Sequence, residues 1–201
     1  PYNLTNPVFN PQGDSPVLFN SFWTSVVSGI VMYDNAASTP LQGVTVNIID
    51  QGGDLVTTTS TNAAGEFEFK VLDGNYVLTG NGAGLPWGGV NIIDGLQIRQ
   101  SLVGQITFSN LQSTAANVDQ NTVVNILDYV TLRQEIAGLN PPAWQIADYV
   151  FETPVVTVAG EDVQQNFKGL CGGDVNGSFN PSDPEPFRII PLSETAVPSN
   201  L

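Results

Sequence analysis

The stretch from Ser25 to Gly80 decides the fold class. It contains VSGIVMYD (27–34), GVTVNIID (43–50), DLVTTTST (54–61), GEFEFKV (65–71) and NYVLTG (75–80). Apolar and polar residues alternate within the segments, and turn clusters such as Gln51-Gly52-Gly53-Asp54 and Asp73-Gly74-Asn75 separate them. A period of two turns one face of each segment toward a core, so the five segments are short strands. Their spacing of about ten residues predicts an antiparallel β-sandwich. Phe67, Phe69 and Tyr76 are expected in its core, and Glu66 and Glu68 on its solvent face.

Downstream the period changes. Residues 90–104 read VNIIDGLQIRQSLVG and residues 124–138 read VNILDYVTLRQEIAG, with seven of fifteen positions identical at a constant offset of 34. Such self-similarity marks two copies of one supersecondary motif. In each copy Asp94 or Asp128 precedes apolar residues at helical spacing, and Gly104 or Gly138 follows, so each copy is a short capped helix with a glycine stop. Gln97, Gln100, Ser101, Thr131, Gln134 and Glu135 are expected to face outward. After Pro141-Pro142, strand patterns return in DYVFE (148–152), VVTVAG (155–160) and VQQNFKG (163–169).

The expected organisation is therefore an extended N-terminal arm (1–22), sandwich strands (23–80), two loop–helix repeats (81–140), returning strands with a polar half-loop (141–182) and an extended tail (183–201). The N-terminal arm holds four prolines, which remove backbone donors and push their predecessors out of the helical region. The fold class is mainly β with a small α part.

Composition narrows the function. Nineteen acidic side chains against five basic ones give a formal charge of −14, a surface that repels nucleic acid and anionic lipid. There is no histidine, so the commonest general base and transition-metal ligand are both missing. Cys171 is the only cysteine and has no partner for an internal disulfide. No apolar run approaches the ~18 residues of a membrane span. The chain starts at Pro1 rather than Met, which reads as a mature product or an excised piece. Few lysines and many Asn, Thr, Ser and Gly fit a secreted surface protein, and no enzyme activity is expected.

The chemistry lies in the loops. Upstream of the second helix stand Asn117, Asp119, Asn121, Val123, Asn125 and Asp128, at positions 1, 3, 5, 7, 9 and 12 of a twelve-residue span. A loop wrapping a calcium ion presents every second residue inward, takes a backbone carbonyl at position 7 and is closed by position 12. The first repeat departs from this pattern, having Ala83, Leu85 and Trp87 at positions 1, 3 and 5 and keeping only the Gly89 carbonyl, Asn91 and Asp94. Near the C-terminus, Asp174, Asn176 and Ser178 form a first half-loop without a second half. The complementary halves predict a second, split calcium site, fed by a strand returning from the C-terminal region.

The loop-plus-helix duplication resembles type I dockerin repeats. The segment VVSGIVMYDNAASTPLQGVTVNIID with TTTSTNAAGEFEFKVLDGNYVLTG is similar to collagen-adhesin B-type and carboxypeptidase-regulatory-like sandwich modules. Together with PWGGVNIID and GLCGGDVNGSF, the combination resembles a sandwich–dockerin-like block of large secreted bacterial surface proteins, over about residues 25–182. Some adhesin B-type sandwiches carry an isopeptide bond from a first-strand lysine; the strand at Val26–Tyr33 has none, so no isopeptide is expected.

The leading expectation is a calcium-stabilised extracellular structural module, a subunit of a filament or adhesin. Its partners would be other copies of itself or neighbouring surface domains, joined by strand exchange through arms carrying Val17, Phe19, Ile189 and Leu192. The alternatives are a docking module that binds a cohesin-like receptor through its paired helices, and a spacer domain. Asn3-Leu4-Thr5 fits a glycosylation sequon on an exposed arm.

Overall fold

The computed structural model describes residues 24–183, so the two arms, with the expectations placed on them, lie outside the described residues. Five strands follow the alternating segments: β1 (Ser25–Tyr33), β2 (Thr45–Asp50), β3 (Leu55–Ser60), β4 (Glu66–Val71) and β5 (Gly74–Asn81). Then come α1 (Ile92–Leu102), α2 (Asn110–Ala116), α3 (Ile126–Ile136), and the returning strands β6 (Tyr149–Phe151), β7 (Val155–Val158), β8 (Val163–Gln164) and β9 (Phe167–Cys171).

The strands form two sheets, one ordered β4-β1-β9-β6 with β8 also on β1, the other β3-β2-β5-β7. Strict alternation along β1 buries Val27, Val31 and Tyr33 against the second sheet's Val46, Ile48 and Leu78. Phe67, Phe69 and Tyr76 are buried, and Glu66 and Glu68 are exposed. Two pairings are parallel rather than antiparallel: β8 and β9 both run with β1. The chain leaves β1, passes through the second sheet and the helices, and re-enters beside β1 from β7 of the other sheet, a connection long enough for parallel pairing. Gly29 makes this approach possible, because a Cβ there would overlap the Gln165 carbonyl.

One apolar cluster joins sandwich and helices, with Ile98 of α1, Leu111, Ala115 and Ala116 of α2 and Leu132 of α3 adjoining Leu170, Cys171 and Val175. The helix rotations correct the expected outward set. Gln134 is exposed as expected and Gln97, Gln100, Ser101 and Glu135 are half-buried, but Thr131 is buried, and α1 and α3 also expose Ile92 (61%), Ile93, Leu96, Ile126, Leu127 (59%) and Val130. The cause is the acid in each first turn: Asp94 with Gly95 and Ile98, and Asp128 with Thr131 and Leu132, are the buried residues. Once Asp94 and Asp128 face inward, the residues at the first two helical positions must face out. None of the helices is long and apolar enough to cross a membrane.

Candidate calcium sites

The continuous loop begins at Asn117, the C-cap of α2, and ends at Asp128, in the first turn of α3. Asn125 is the N-cap of α3, and with Asp128 it forms a capping box. Asp128 Oδ2 accepts from Asn125 N (2.8 Å) and Oδ1 from Asp119 N (3.3 Å). Asp119 Oδ1 accepts from Asn121 N (3.1 Å), Asn121 Oδ1 accepts from Val123 N (2.9 Å), and Asn125 Nδ2 donates to the Val123 carbonyl (3.2 Å). All six predicted residues therefore lie on one hydrogen-bonded turn, with Asn117 joined to it through Nδ2 on the Asn121 carbonyl (2.7 Å).

The two half-loops meet. Asn176 N donates to Asp94 Oδ1 (3.0 Å) and Asn91 N to Asp94 Oδ2 (2.7 Å). Ser178 N donates to Asn176 Oδ1 (2.8 Å) and to Asp174 Oδ1 (3.0 Å). Asn91 Nδ2 donates to the Gly89 carbonyl (2.6 Å) and to Ser178 Oγ (3.0 Å), which itself donates to that carbonyl (2.9 Å). Gly89, Asn91, Asp94, Asp174, Asn176 and Ser178 thus share one neighbourhood although Asn91 and Ser178 are 87 positions apart.

Four hydrogen bonds recur in both neighbourhoods. Position 9 N–H reaches one oxygen of the position-12 carboxylate, and position 3 N–H reaches the other. Position 5 N–H reaches the position-3 side chain, and the position-9 amide nitrogen reaches the position-7 carbonyl. The split loop reproduces the continuous one with its chain cut between positions 5 and 7.

Three observations test whether a hard cation fits these residues. Asn117 Oδ1 at position 1 is, among the described residues, the buried side-chain polar atom that no donor reaches, and an orphaned buried acceptor costs about 1–3 kcal/mol. Asp94 and Asp174 are completely buried; burial, with Asp174's charge adding, pushes the Asp94 acid up to about 7. The Asp128 acid is likewise raised, first by burial and then by Asp119 beside it. The ion pair among the described residues lies elsewhere, between Lys168 Nζ and Asp34 Oδ1 (2.7 Å). Thirdly, Gly89 at φ +87° packs so closely that a Cβ would collide with the Asp174 carboxylate. Among the described residues no three Asp, Glu, Cys or His side chains gather at one point. Each neighbourhood instead offers two carboxylates with amide, hydroxyl and carbonyl oxygens, a donor set that suits calcium. The amide oxygens of Asn91 and Asn125 already cap Ile93 N and Leu127 N (2.8 and 2.7 Å); position 9 of calcium loops commonly serves through a water.

The sequence reading missed one member of the split site. Tyr33, at the end of β1, donates from its hydroxyl to Asp174 Oδ2 (2.6 Å) and accepts from Cys171 N (2.9 Å). Phe179 N donates to the same carboxylate oxygen (3.0 Å). Nothing in the alternation of β1 separates Tyr33 from an ordinary core aromatic.

No family model and no curated protein matches the chain. Among solved structures it is similar to a DUF3823 family protein from Parabacteroides merdae, at 13% identity and a TM-score of 0.35 over 74% of this chain and 46% of that one. It is similar to BcpA, the major pilin subunit of Bacillus cereus, at 10% identity and a TM-score of 0.37 over 74% of this chain and 30% of that one. The minor pilin GBS52 of Streptococcus agalactiae gives 9% identity and a TM-score of 0.36, over 75% of this chain and 45% of that one. The chain spans less than half the length of each, and likeness at this level carries no functional argument.

Proposed function

We propose that the chain is a non-catalytic, calcium-stabilised structural module of an extracellular surface assembly. Its Ca2+ ligands would be Asn117, Asp119, Asn121, the Val123 carbonyl, Asn125 and Asp128 in one site. The other would use Asp174, Asn176 and Ser178 with the Gly89 carbonyl, Asn91 and Asp94. The observation that carries this reading is the recurrence of one hydrogen-bond pattern in a continuous and a split loop, with the Asn117 oxygen orphaned. Bound calcium would supply the positive charge that the buried acid pairs lack, and at about 100 times its dissociation constant each ion adds roughly 2.7 kcal/mol to stability. Melting in millimolar calcium and in excess chelator tests it: a higher midpoint with calcium is expected, and coincident curves would contradict the reading.

In this reading, the module polymerises when an arm of one copy pairs along a neighbour's sandwich edge. Support comes from β3, an edge strand almost wholly exposed, Leu55 and Val56 included. Unpaired edge groups are ready acceptors of a further strand. A head-to-tail contact of this kind does not close and builds a filament.

A second reading, docking of a cohesin-like receptor through the helices, is favoured by the exposed apolar rows on α1 and α3. Each row contains an arginine, and Arg99 and Arg133 flank the Tyr129 ring at 5.5 and 5.7 Å. Apolar, Arg and Tyr groups are what receptor anchors use.

A further inference from the structure

We propose that Tyr33 is the positioning residue of the split site, so that this site closes only on a completed sandwich. The inference rests on the calcium reading above and extends it. Tyr33 is the last residue of β1, a strand held between β4 and β9, and its register partner on β9 is Gly169. Its hydroxyl accepts from Cys171 N at the end of β9 and donates its own O–H to Asp174 Oδ2. The ring is fully buried, edge-on to Tyr149 and Phe179.

This arrangement fixes which way Asp174 faces. One oxygen is saturated by Tyr33 O–H and Phe179 N–H, and the other accepts from Ser178 N. A carboxylate anchored on one side presents its remaining lone pairs in a set direction, as outer partners do for metal ligands generally. The two sites then differ in what they need from the fold. In the continuous loop the paired acids are nine positions apart, whereas Tyr33 and Asp174 are 141 apart. The continuous loop draws on α2, its own turn and α3, which are contiguous in the chain. The split site needs β1, α1 and the C-terminal return together.

The test is calcium titration calorimetry on the full chain and its Tyr33→Phe variant, with melting in calcium and in chelator. A hydrogen bond to a charged group is worth enough to weaken the split site roughly 10- to 100-fold when lost; the continuous site should keep its affinity. In an Asp174→Asn background, Tyr33→Phe should no longer change the calcium-dependent part of the melting shift. If Tyr33→Phe lowers the midpoint equally with calcium and chelator and leaves both affinities unchanged, Tyr33 is only a core residue and the proposal is overturned. Wild-type protein that binds no calcium would instead overturn the reading beneath it. Should the Phe variant not fold, 3-fluorotyrosine labelling of the full chain gives a second readout. A Tyr33 fluorine resonance that moves as the split site fills, and stays still in Asp174→Asn, supports the role; one that never moves with calcium overturns it.

Discussion

Asn117 opens the continuous loop with an amide where a carboxylate would add a third charge. Its nitrogen holds the Asn121 carbonyl while its oxygen has no donor. Asn117→Asp should therefore act in opposite directions with and without the ion. Ligand charge tunes the affinity of calcium loops, so calcium should bind more tightly. In chelator the added carboxylate repels Asp119 and Asp128 and loses the bond to Asn121, so the midpoint should fall. A melting gap that does not widen would argue against ligation at position 1. Asp94 gives a pH signature. Its acid is raised to about 7, chiefly by burial and further by Asp174, so in chelator the folded chain holds this proton more tightly than the unfolded one, whose carboxyl titrates near 3.9. Stability from that proton is fully present below about pH 4 and is lost as the pH rises toward 7. Melting in chelator across that window should show this decline, and Asp94→Asn should flatten it.

At the scale of elements, α1 and α3 are oriented by their acids rather than by their apolar residues. The sequence pattern yields both helices and their glycine stops at Gly104 and Gly138, but it takes Asp94 and Asp128 as the caps, whereas Asn91 and Asn125 are the N-caps and each Asp completes a capping box from the first turn. It misses the exposed apolar rows and the burial of Thr131 because a hydrophobic-face reading assumes that apolar residues choose the rotation, whereas inward Asp94 and Asp128 fix it here. Helix α2 was not legible: seven residues, NLQSTAA, are too few to show a period, although Ser109 and Gln112 form its capping box. The strand pattern over residues 163–169 is divided into β8 and β9, and neither the break nor their parallel direction registers in alternation. The meeting of the two half-loops was legible because they are complementary; Tyr33 was not, since its contact to Asp174 belongs to tertiary structure alone. The exposed rows make a separate prediction. Leu96→Glu and Val130→Glu replace exposed apolar groups, so stability should stay within about 0.5 kcal/mol. Loss of receptor capture in these variants would support docking; unchanged capture would count against it. Lys at Val56 on β3 charges an exposed edge, and charged edges resist strand addition. If assembly uses this edge, sedimentation should show the variant as monomer where the parent chain forms filaments.

Across the whole molecule, a chain of net charge −14 buries the Asp94–Asp174 pair at the start of α1, and Asp128 beside a half-buried Asp119 at the start of α3. Isolated buried charge is among the costliest things a fold can hold, and a divalent ion completing each loop, as proposed, would make the placement favourable. One candidate site lies in the contiguous run from the end of α2 to the first turn of α3, and the other ties β1, α1 and the segment after β9 into one body. The most direct measurement is calcium titration calorimetry on the full chain beside its Asp128→Ala and Asp174→Ala variants. The account predicts two ions per chain with dissociation constants on the order of 10⁻⁵ M. Each variant should bind one, Asp128→Ala through the split site and Asp174→Ala through the continuous loop. Absence of binding heat at millimolar calcium, together with coincident melting curves in calcium and chelator, would contradict it.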